Sequence, residues 1–277
     1  MAPLCAKPIR DQGALPLLIA LASSWLFFAP AAPAPAQTSC ANPPDYATKC
    51  CPPQALSLDV PQPQDLQSTE EPMNVGEYKR KLTNYKCSGD YEKAVAEVLD
   101  KAIDYVEQHA SDATRPALVL DIDETSLSNW PAILTDDYAL LPDGPCDLSI
   151  AGTCGWRAWQ YHAKDEAIAP TLKLFNTAKA KGIAVFFITG RCEIGPAREA
   201  TEANLEAAGY DGWADLIMRP KDCPKLDTVV EFKASARGTI EAQGYKIIAN
   251  VGDQWSDLNG GHSDQNFKVP NPFYFIK

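Results

Sequence analysis

The chain has 277 residues, of which 45% are hydrophobic, and carries a formal net charge of -11. A chain of this length and hydrophobic content can bury a substantial core, which argues against general disorder. The chain is acidic overall and contains no Lys/Arg-rich block. The composition therefore argues against a nucleic acid polymer or an anionic membrane as partner and favours a small molecule.

The first 36 residues have the pattern of a secretory signal peptide. Lys7 and Arg10 precede a continuous apolar run from Ala14 to Ala29, and the small residues "APA" follow before residue 37. A membrane anchor is the alternative, but the run is shorter than the roughly 20 residues that a span needs. A lipoprotein signal at Cys40 is disfavoured because "QTSC" lacks an apolar residue three positions earlier. We therefore expect an exported protein, periplasmic or secreted, without a membrane span after signal removal.

Residues 37–115 are expected to form an accessory region. The stretch from Gln37 to Pro72 is rich in Pro, Ser and Gln, which predicts an irregular arm. Apolar residues then recur at helical spacing between Val95 and Val106, which predicts one long amphipathic helix with room for a second before it. The region is therefore expected to be a disulfide-stapled arm followed by N-terminal helices.

The cysteines indicate disulfides. Of nine in the chain, all but Cys5 follow the predicted signal peptide. An even number of cysteines in an oxidising compartment favours pairing. We expect bonds between Cys146 and Cys154 and between Cys192 and Cys223, with the other four stapling the N-terminal arm. A zinc site is the alternative, but CxxC spacing is absent.

After Pro116, short apolar runs alternate with helical patterns. Two helices are predicted, the first stopping at Gly209 and the second at Gly244. Strands are predicted at residues 117–122, 182–189, 215–219, 245–252 and 273–277. This alternation predicts an α/β fold with a mostly parallel sheet that helices cover on both faces.

Polar residues follow several of these strands. In parallel sheets, ligands bind at the carboxyl ends of the strands. The residues expected at this edge are Asp121 and Asp123 after the first strand, Thr189, Gly190 and Arg191 at the end of the second, and Asp253 after a later one. Carboxylates gathered without histidines or thiolates form a hard-oxygen site that suits Mg²⁺.

A calcium loop is an alternative for "DIDETSLSNWPA", but the pattern fails. Ser126 replaces the required glycine at the sixth position, and Ala132 replaces the bidentate glutamate at the twelfth. With a divalent cation present, Asp121 could attack a phosphate monoester, and Asp123 could act as general acid and base. Lys233 is the best-placed cation for the phosphoryl group.

The ordered motifs resemble those of the haloacid dehalogenase (HAD) superfamily phosphatases. "DIDET" resembles the first motif, DxDxT/V, and "FFITGR" resembles the second. "EFKASARGTIEAQGYKIIANVGDQWSDL" resembles the third and fourth motifs together. Within this stretch, the sequence "YKIIANVGDQWSDL" is most similar to the acid phosphatase family that includes the class C bacterial enzymes and the plant vegetative storage proteins. The resemblance covers residues 116–277 and implies a Rossmann-like HAD core, with a small cap inserted at about 126–181.

The resemblance also implies roles for the site residues. Asp121 would be the phosphorylated nucleophile and Asp123 the acid/base. The phosphoryl group would be bound by Thr189, Gly190, Arg191 and Lys233. Magnesium would be held by Asp121, the backbone carbonyl of Asp123, Asp253 and, directly or through water, Asp257.

These roles imply an exported, Mg²⁺-dependent acid phosphatase acting on phosphomonoesters, such as nucleotides or aryl phosphates, through a phosphoaspartyl intermediate. The resemblance also implies an acidic pH optimum, for which neighbouring carboxylates could raise the pKa of Asp123. A catalytically weak binding or storage protein on the same fold stays open, as does another HAD hydrolase activity. Lys221 and Lys225 stay open as alternatives to Lys233.

Overall fold

The computed structural model describes residues 74–146, 154–221 and 229–276. The predicted signal peptide, the whole predicted arm (Gln37–Pro72), Cys223 and Lys225 lie outside the described residues. The predicted domain boundaries at residues 36 and 115 stay predictions.

The helices and strands alternate along most of the chain. In order they are α1 (Val75–Cys87), α2 (Asp90–His109), β1 (Pro116–Leu120), β2 (Leu127–Ser128), α3 (Trp130–Thr135), α4 (Trp156–Tyr161), β3 (Glu166–Ala167), α5 (Ala169–Ala180), β4 (Ala184–Cys192), α6 (Ala197–Ala207), β5 (Asp215–Arg219), α7 (Val229–Ala242), β6 (Lys246–Gly252), α8 (Trp255–Leu258) and β7 (Gln265–Lys268).

The main sheet has the strand order β5-β4-β1-β6-β7, and all its neighbouring strands pair in parallel. Parallel strands need crossover connections, which the helices supply. The predicted α/β class and parallel sheet are therefore confirmed. β1 lies at the centre and is buried along its whole length, as its continuous apolar run predicts.

Hydrophobic side chains pack on both faces of the sheet. Leu118 and Leu120 of β1 belong to the larger cluster, which includes residues of α2, α5 and α6. Ala117 and Val119 point to the other face, where they join Ile240 of α7. Successive strand residues point to opposite faces, so β1 contributes to both layers. Packing between these two layers holds the carboxyl ends of the central strands in fixed positions.

The segment between β1 and β4 was predicted to contain a cap over residues 126–181. Its last helix, α5, packs on the sheet, with the ring of Phe175 stacked 6.0 Å from that of Phe187 on β4. The earlier part contains α3, α4 and the antiparallel pair of β2 and β3. The predicted Cys146–Cys154 disulfide is confirmed in this part. Cys192 is also disulfide-bonded, but its predicted partner lies outside the described residues.

The predicted long amphipathic helix is α2, and the second helix for which the sequence left room before it is α1. The break between the two helices falls at Gly89, whose φ of 82° lies in the left-handed region that glycine adopts most easily. The buried face of α2 includes Val95, Leu99 and Val106, as the helical spacing predicts. Gly209 and Gly244 also have positive φ, at 95° and 87°, and follow the ends of α6 and α7 as predicted.

The prediction of a strand at residues 273–277 is wrong for residues 273–276, where the chain has no regular pairing. The aromatic residues there pack against other elements instead: the Phe273 ring lies 5.1 Å from Tyr91 and 5.3 Å from Trp130. The edge strand β7 went unpredicted because its sequence, "QNFK", is mostly polar. Within the described ranges, no helix combines the length and apolar character needed to cross a membrane.

Candidate active site

The carboxyl ends of β1, β4 and β6 carry the predicted site residues. The backbone N–H of Asp121 donates to the carbonyl of Val251 at 3.0 Å, which extends the pairing of β1 with β6 by one residue. Leu120 is level with Phe187 in the register of β1 and β4, so Thr189 lies two residues further toward the same edge. Asp253 directly follows β6. The structure therefore brings these residues to one edge of the sheet.

A buried lysine lies between two of the carboxylates. The Nζ of Lys233, on α7, donates to Oδ1 of Asp121 at 2.5 Å and to Oδ1 of Asp257 at 2.6 Å. We call these three residues the lysine centre. Burial lowers the pKa of Lys233, but the two carboxylates outweigh burial and raise the pKa above its ordinary value. The lysine is therefore charged across the physiological pH range.

The lysine centre adjoins a third carboxylate, that of Asp253. One carboxylate oxygen from each of Asp121, Asp253 and Asp257 lies within 4.8 Å of the others, and all three residues are buried. Burial and neighbouring carboxylates raise the pKa of Asp121 well above its ordinary value, although Lys233 opposes this shift. Burial and Asp257 raise the pKa of Asp253 to about 7. An all-oxygen set with excess negative charge fits a hard divalent cation.

The loop after β6 fixes the two later carboxylates. Asp257 accepts the backbone N–H of Gln254 at 2.7 Å as part of a capping box at the start of α8. Asp253 accepts from the side-chain amides of Gln254, at 2.6 Å, and Asn271, at 2.7 Å. A Cβ atom at Gly252 would overlap the Asp257 carboxylate, so only glycine permits this close approach.

Asp123 lies beside a second buried cation. Arg191 donates to Asp123 Oδ1 from Nη2 at 2.8 Å and from Nε at 3.2 Å, and Nε also lies 3.2 Å from Oδ2. Nη2 donates as well to Oδ2 of Asp165 at 3.1 Å. We call Arg191, Asp123 and Asp165 the arginine centre. Burial raises the pKa of Asp123, but Arg191 outweighs burial and lowers it below its ordinary value.

The expectation that neighbouring carboxylates raise the pKa of Asp123 is therefore wrong. The guanidinium is in direct contact with this carboxylate, and an opposite charge at hydrogen-bond distance stabilises the ionised form. Arg191 is only 3% exposed, and its charged nitrogens contact Asp123, Asp165 and the Thr201 hydroxyl. Its predicted role in substrate binding stays a prediction.

Glu124 forms the turn that follows β1. Its φ of 53° lies in the left-handed region, which is uncommon for residues other than glycine. Its carboxyl group accepts the backbone N–H of Asn129 at 2.6 Å and the Tyr274 hydroxyl at 2.5 Å. Burial, followed by the charge of Asp123, raises the pKa of Glu124 to about 8. The Glu124 side chain therefore links the turn to α3 and to the C-terminal segment.

The predicted phosphoryl-binding residues on β4 lie next to these centres. Thr189 is fully buried, and its Oγ1 accepts the backbone N–H of Arg191 at 3.1 Å. Gly190 is partly exposed and has open space where a Cβ atom would lie. The backbone at Gly190 is therefore accessible from this edge of the sheet.

A small cleft near the site is lined by aromatic and aliphatic side chains. Trp156 and Tyr274 form one side, with ring centroids 5.4 Å apart and nearly perpendicular planes. The complete lining is Ile133, Tyr138, Ala139, Leu140, Trp156, Phe273 and Tyr274. Trp156 lines this cleft, whereas Trp159 is buried.

Several residues of the site were not predicted from the sequence. Asn129 donates to Asp123 Oδ1 at 2.9 Å, and Asp165, Asn271 and Tyr274 each contact a carboxylate or cation described above. None belongs to a recognisable motif, and Asn271 and Tyr274 lie in a C-terminal segment interpreted as a strand.

The family model of the HAD superfamily, subfamily IIIB (acid phosphatase), matches residues 63–277. Acid phosphatase 1 of Solanum lycopersicum is 32% identical over 70% of this chain and 73% of its own length. Stem 28 kDa glycoprotein of Glycine max is 34% identical over 62% of this chain, and the match spans 63% of that protein's length.

A similar fold occurs in the class C acid phosphatase from Bacillus anthracis. The superposition has a TM-score of 0.56 with 18% sequence identity, and covers 73% of this chain and 86% of the bacterial one. At this identity the comparison supports the fold alone. It agrees with the parallel sheet and the flanking helices described above.

Proposed function

The chain belongs to the HAD superfamily, subfamily IIIB acid phosphatases, and on this premise we propose that it is an exported, Mg²⁺-dependent phosphatase acting on phosphomonoesters. The observation that carries the proposal is the lysine centre beside Asp253: a buried cation touches Asp121, and three carboxylates offer oxygens within 4.8 Å of one another. A nucleophile beside a fixed cation and a divalent-metal site is the arrangement that attack on a phosphate dianion requires.

Asp121 is the proposed nucleophile. One of its carboxylate oxygens forms a bond to phosphorus as the bond from phosphorus to the ester oxygen breaks, which leaves a phosphoryl group on Asp121. The negative charge of the bound phosphate opposes the effect of Arg191 and favours a protonated Asp123, which gives its proton to the departing oxygen and then takes a proton from water. The resulting hydroxide attacks phosphorus, the Asp121–phosphorus bond breaks, and inorganic phosphate leaves.

The transferred phosphoryl group needs donors that are already in position. We assign this role to the ammonium group of Lys233, the hydroxyl of Thr189 and the backbone N–H of Gly190. Lys233 is buried and held by two carboxylates, so little reorganisation is needed when negative charge approaches. Its charge and position favour Lys233 over Lys221, which is exposed.

Magnesium would be held by Asp121, Asp253 and the backbone carbonyl of Asp123, with Asp257 as a direct or water-mediated ligand. When bound, the ion screens the repulsion between the attacking carboxylate and the phosphate. The all-oxygen donor set supports a hard cation. Asp257 already accepts from Lys233 and from the Gln254 backbone, which favours the water-mediated arrangement.

The proposed substrates carry an apolar or aromatic leaving group, as aryl phosphates and nucleotides do. The partly exposed rings of Trp156 and Tyr274 beside Glu124 support this choice, because flat rings pack well against aromatic side chains. Export and an acidic pH optimum belong to the same proposal. The first is supported by the N-terminal sequence and the second by the description of the matched family as acid phosphatase.

A storage protein on the same fold is the second hypothesis from the sequence. It needs neither a buried lysine at the nucleophile nor a carboxylate set suited to a cation. A dehalogenase would use Asp121 but has no need of Asp253 and Asp257. The complete set of charged groups therefore favours the phosphatase over both alternatives.

The test is phosphate release from p-nitrophenyl phosphate by the protein without its first 36 residues, at acidic pH, with Mg²⁺ or with EDTA. We expect turnover that requires Mg²⁺ and is abolished in Asp121→Asn. A correctly folded wild type that is inert toward a panel of phosphomonoesters would contradict the proposal. Turnover that survives both EDTA and the substitution would show that the site is elsewhere.

A further inference from the structure

Asp123 is held asymmetrically by its neighbours. Its Oδ1 accepts from Asn129 Nδ2 at 2.9 Å and from Arg191 Nη2 at 2.8 Å, with Arg191 Nε at 3.2 Å. Within the described parts of the chain, its Oδ2 has one contact, the long one of 3.2 Å from Nε. The side chain is 17% exposed, whereas that of Arg191 is 1% exposed. The arginine therefore contacts Asp123 from the interior, mainly through Oδ1, and Oδ2 has the fewer contacts among the described residues.

Arg191 is itself oriented by Asp165. The Asp165 side chain is fully buried, and its Oδ2 accepts from Arg191 Nη2 at 3.1 Å. Its backbone is fixed on both sides by Asn204 of α6: the Asp165 N–H donates to Asn204 Oδ1 at 3.0 Å, and Asn204 Nδ2 donates to the Asp165 carbonyl at 2.8 Å. The orientation of the guanidinium therefore depends on a carboxylate that is anchored to a helix of the core.

We infer that Arg191, oriented by Asp165, is a positioning residue that holds Asp123 with Oδ2 directed at the leaving-group oxygen. The inference rests on the proposed function, in which Asp123 is the general acid and base. It adds Arg191 and Asp165, which act only on the step in which the leaving-group oxygen is protonated. Two fixed contacts from a planar guanidinium define the rotation of the carboxylate, which a single flexible ammonium group cannot do.

The proton transfer assigned to this geometry is specific. The Oδ2–H bond of Asp123 breaks as its proton moves to the ester oxygen, while the phosphorus–oxygen bond breaks and Asp121 bonds to phosphorus. The electron pair of the broken phosphorus–oxygen bond stays on the departing oxygen, and the proton neutralises the resulting negative charge. A leaving group that is a weak base needs this proton little, whereas a strongly basic one needs it fully.

The test compares kcat/KM for p-nitrophenyl phosphate, a good leaving group, with kcat/KM for phenyl phosphate, a poorer one. We call kcat/KM for p-nitrophenyl phosphate divided by kcat/KM for phenyl phosphate the leaving-group ratio. We expect Asp165→Asn and Arg191→Lys to raise this ratio about tenfold over wild type, and Asp123→Asn to raise it by at least as much, since general acid catalysis contributes roughly 10²–10⁴-fold. In each variant the loss of kcat/KM is expected to be larger for phenyl phosphate than for p-nitrophenyl phosphate.

Arg198→Lys is the matched control. Arg198 is a neighbouring arginine that pairs with Glu193 and Glu202 and has no contact with Asp123 among those described. It is expected to keep the wild-type ratio. Should Arg191→Lys fail to fold, Asp165→Asn decides alone, because it keeps the side-chain volume and removes only the charge.

Equal losses on both substrates, or none, in Asp165→Asn would overturn the inference, because a merely structural role lowers both rates alike. The proposed function fails differently. If wild type is inactive, if Asp121→Asn keeps its activity, or if Asp123→Asn leaves the ratio unchanged, then the assigned chemistry is wrong and the inference falls with it.

Discussion

The lysine centre and the arginine centre each place one buried cation between two carboxylates, yet they differ in their surplus charge. Together with Asp253, the lysine centre has three carboxylates and one ammonium group, which gives an excess of two negative charges if all are ionised. The arginine centre has two carboxylates and one guanidinium, an excess of one. The surplus beside Lys233 is what a divalent cation would neutralise.

The two cations also differ in geometry. Lys233 is a compact charge that presents three donors without a fixed plane. Arg191 is a planar fork whose contacts with Asp123 and Asp165 fix an orientation. One centre is thus suited to binding charge that changes during the reaction, and the other to holding a proton donor in place. We therefore expect variants of the arginine centre to raise the leaving-group ratio and variants of the lysine centre to leave it unchanged.

The largest expected effect is that of Lys233→Met. Without this cation, both the nucleophile and the phosphoryl group lose a fixed positive charge, so kcat/KM should fall by about a thousandfold or more. The loss should be equal for p-nitrophenyl and phenyl phosphate, unlike that of the arginine-centre variants. Lys246→Met, which removes an exposed lysine paired with Asp264, is the control. A Lys233→Met variant with a raised leaving-group ratio would erase the distinction between the centres.

Magnesium should stabilise the fold through the lysine centre. At a concentration about 100 times the dissociation constant, a ligand that binds only the native state contributes about 2.7 kcal/mol. Thermal unfolding should therefore shift upward by several degrees with Mg²⁺ in wild type and in Asp165→Asn. The shift should be absent in Asp253→Asn. The same shift in both variants would place the metal elsewhere.

Glu124 should make stability depend on pH in the metal-free protein. Its pKa is raised to about 8, so between about 4.5 and 8 the native state holds a proton that the unfolded state has released. The free energy of unfolding contributed by this proton is thus fully present below pH 4.5, falls as pH rises, and is lost above about pH 8. The slope is at most about 1.4 kcal/mol per pH unit.

Glu124→Gln isolates this contribution, because the amide is neutral at every pH and has nearly the same volume. Denaturant unfolding in EDTA should therefore give a flatter pH profile for the variant than for wild type between pH 5 and pH 8. Parallel profiles would show that Glu124 is ionised in the native state at neutral pH.

The smallest expected effect is that of Tyr274→Phe, which removes the hydroxyl that contacts Glu124. A buried hydrogen bond contributes about 1 kcal/mol, so the free energy of unfolding should fall by about that amount. The leaving-group ratio should stay at the wild-type value, because Tyr274 has no contact with either cation among the described interactions. A raised ratio would extend the positioning role to the C-terminal segment.

The sequence predicted the central strands and the residues at their ends well. Continuous apolar runs identify buried parallel strands, and Asp121 and Asp253 follow such runs directly. Lys233 could be predicted because it lies in the same continuous stretch of motif sequence as "GDQWSD". Local pattern and motif order are sufficient for this part of the molecule.

The arginine centre could not be predicted in the same way. Asp165 lies in the loop before β3 and Arg191 lies on β4, 26 positions later, so only the packed fold brings them together. The C-terminal segment was misassigned for a related reason. Its aromatic residues have the composition of a strand, but their partners are rings of α2 and α3 rather than a neighbouring strand.

The most direct test of the lysine centre is to trap the enzyme during turnover. Mixtures with p-nitrophenyl phosphate and Mg²⁺ would be quenched in acid, digested and analysed by mass spectrometry. We predict a phosphoryl group on the peptide that contains Asp121, located on that residue by fragmentation and absent from Asp121→Asn. Rapid turnover with no phosphorylated peptide, or with the phosphoryl group on another residue, would contradict the assignment of Asp121 as the nucleophile.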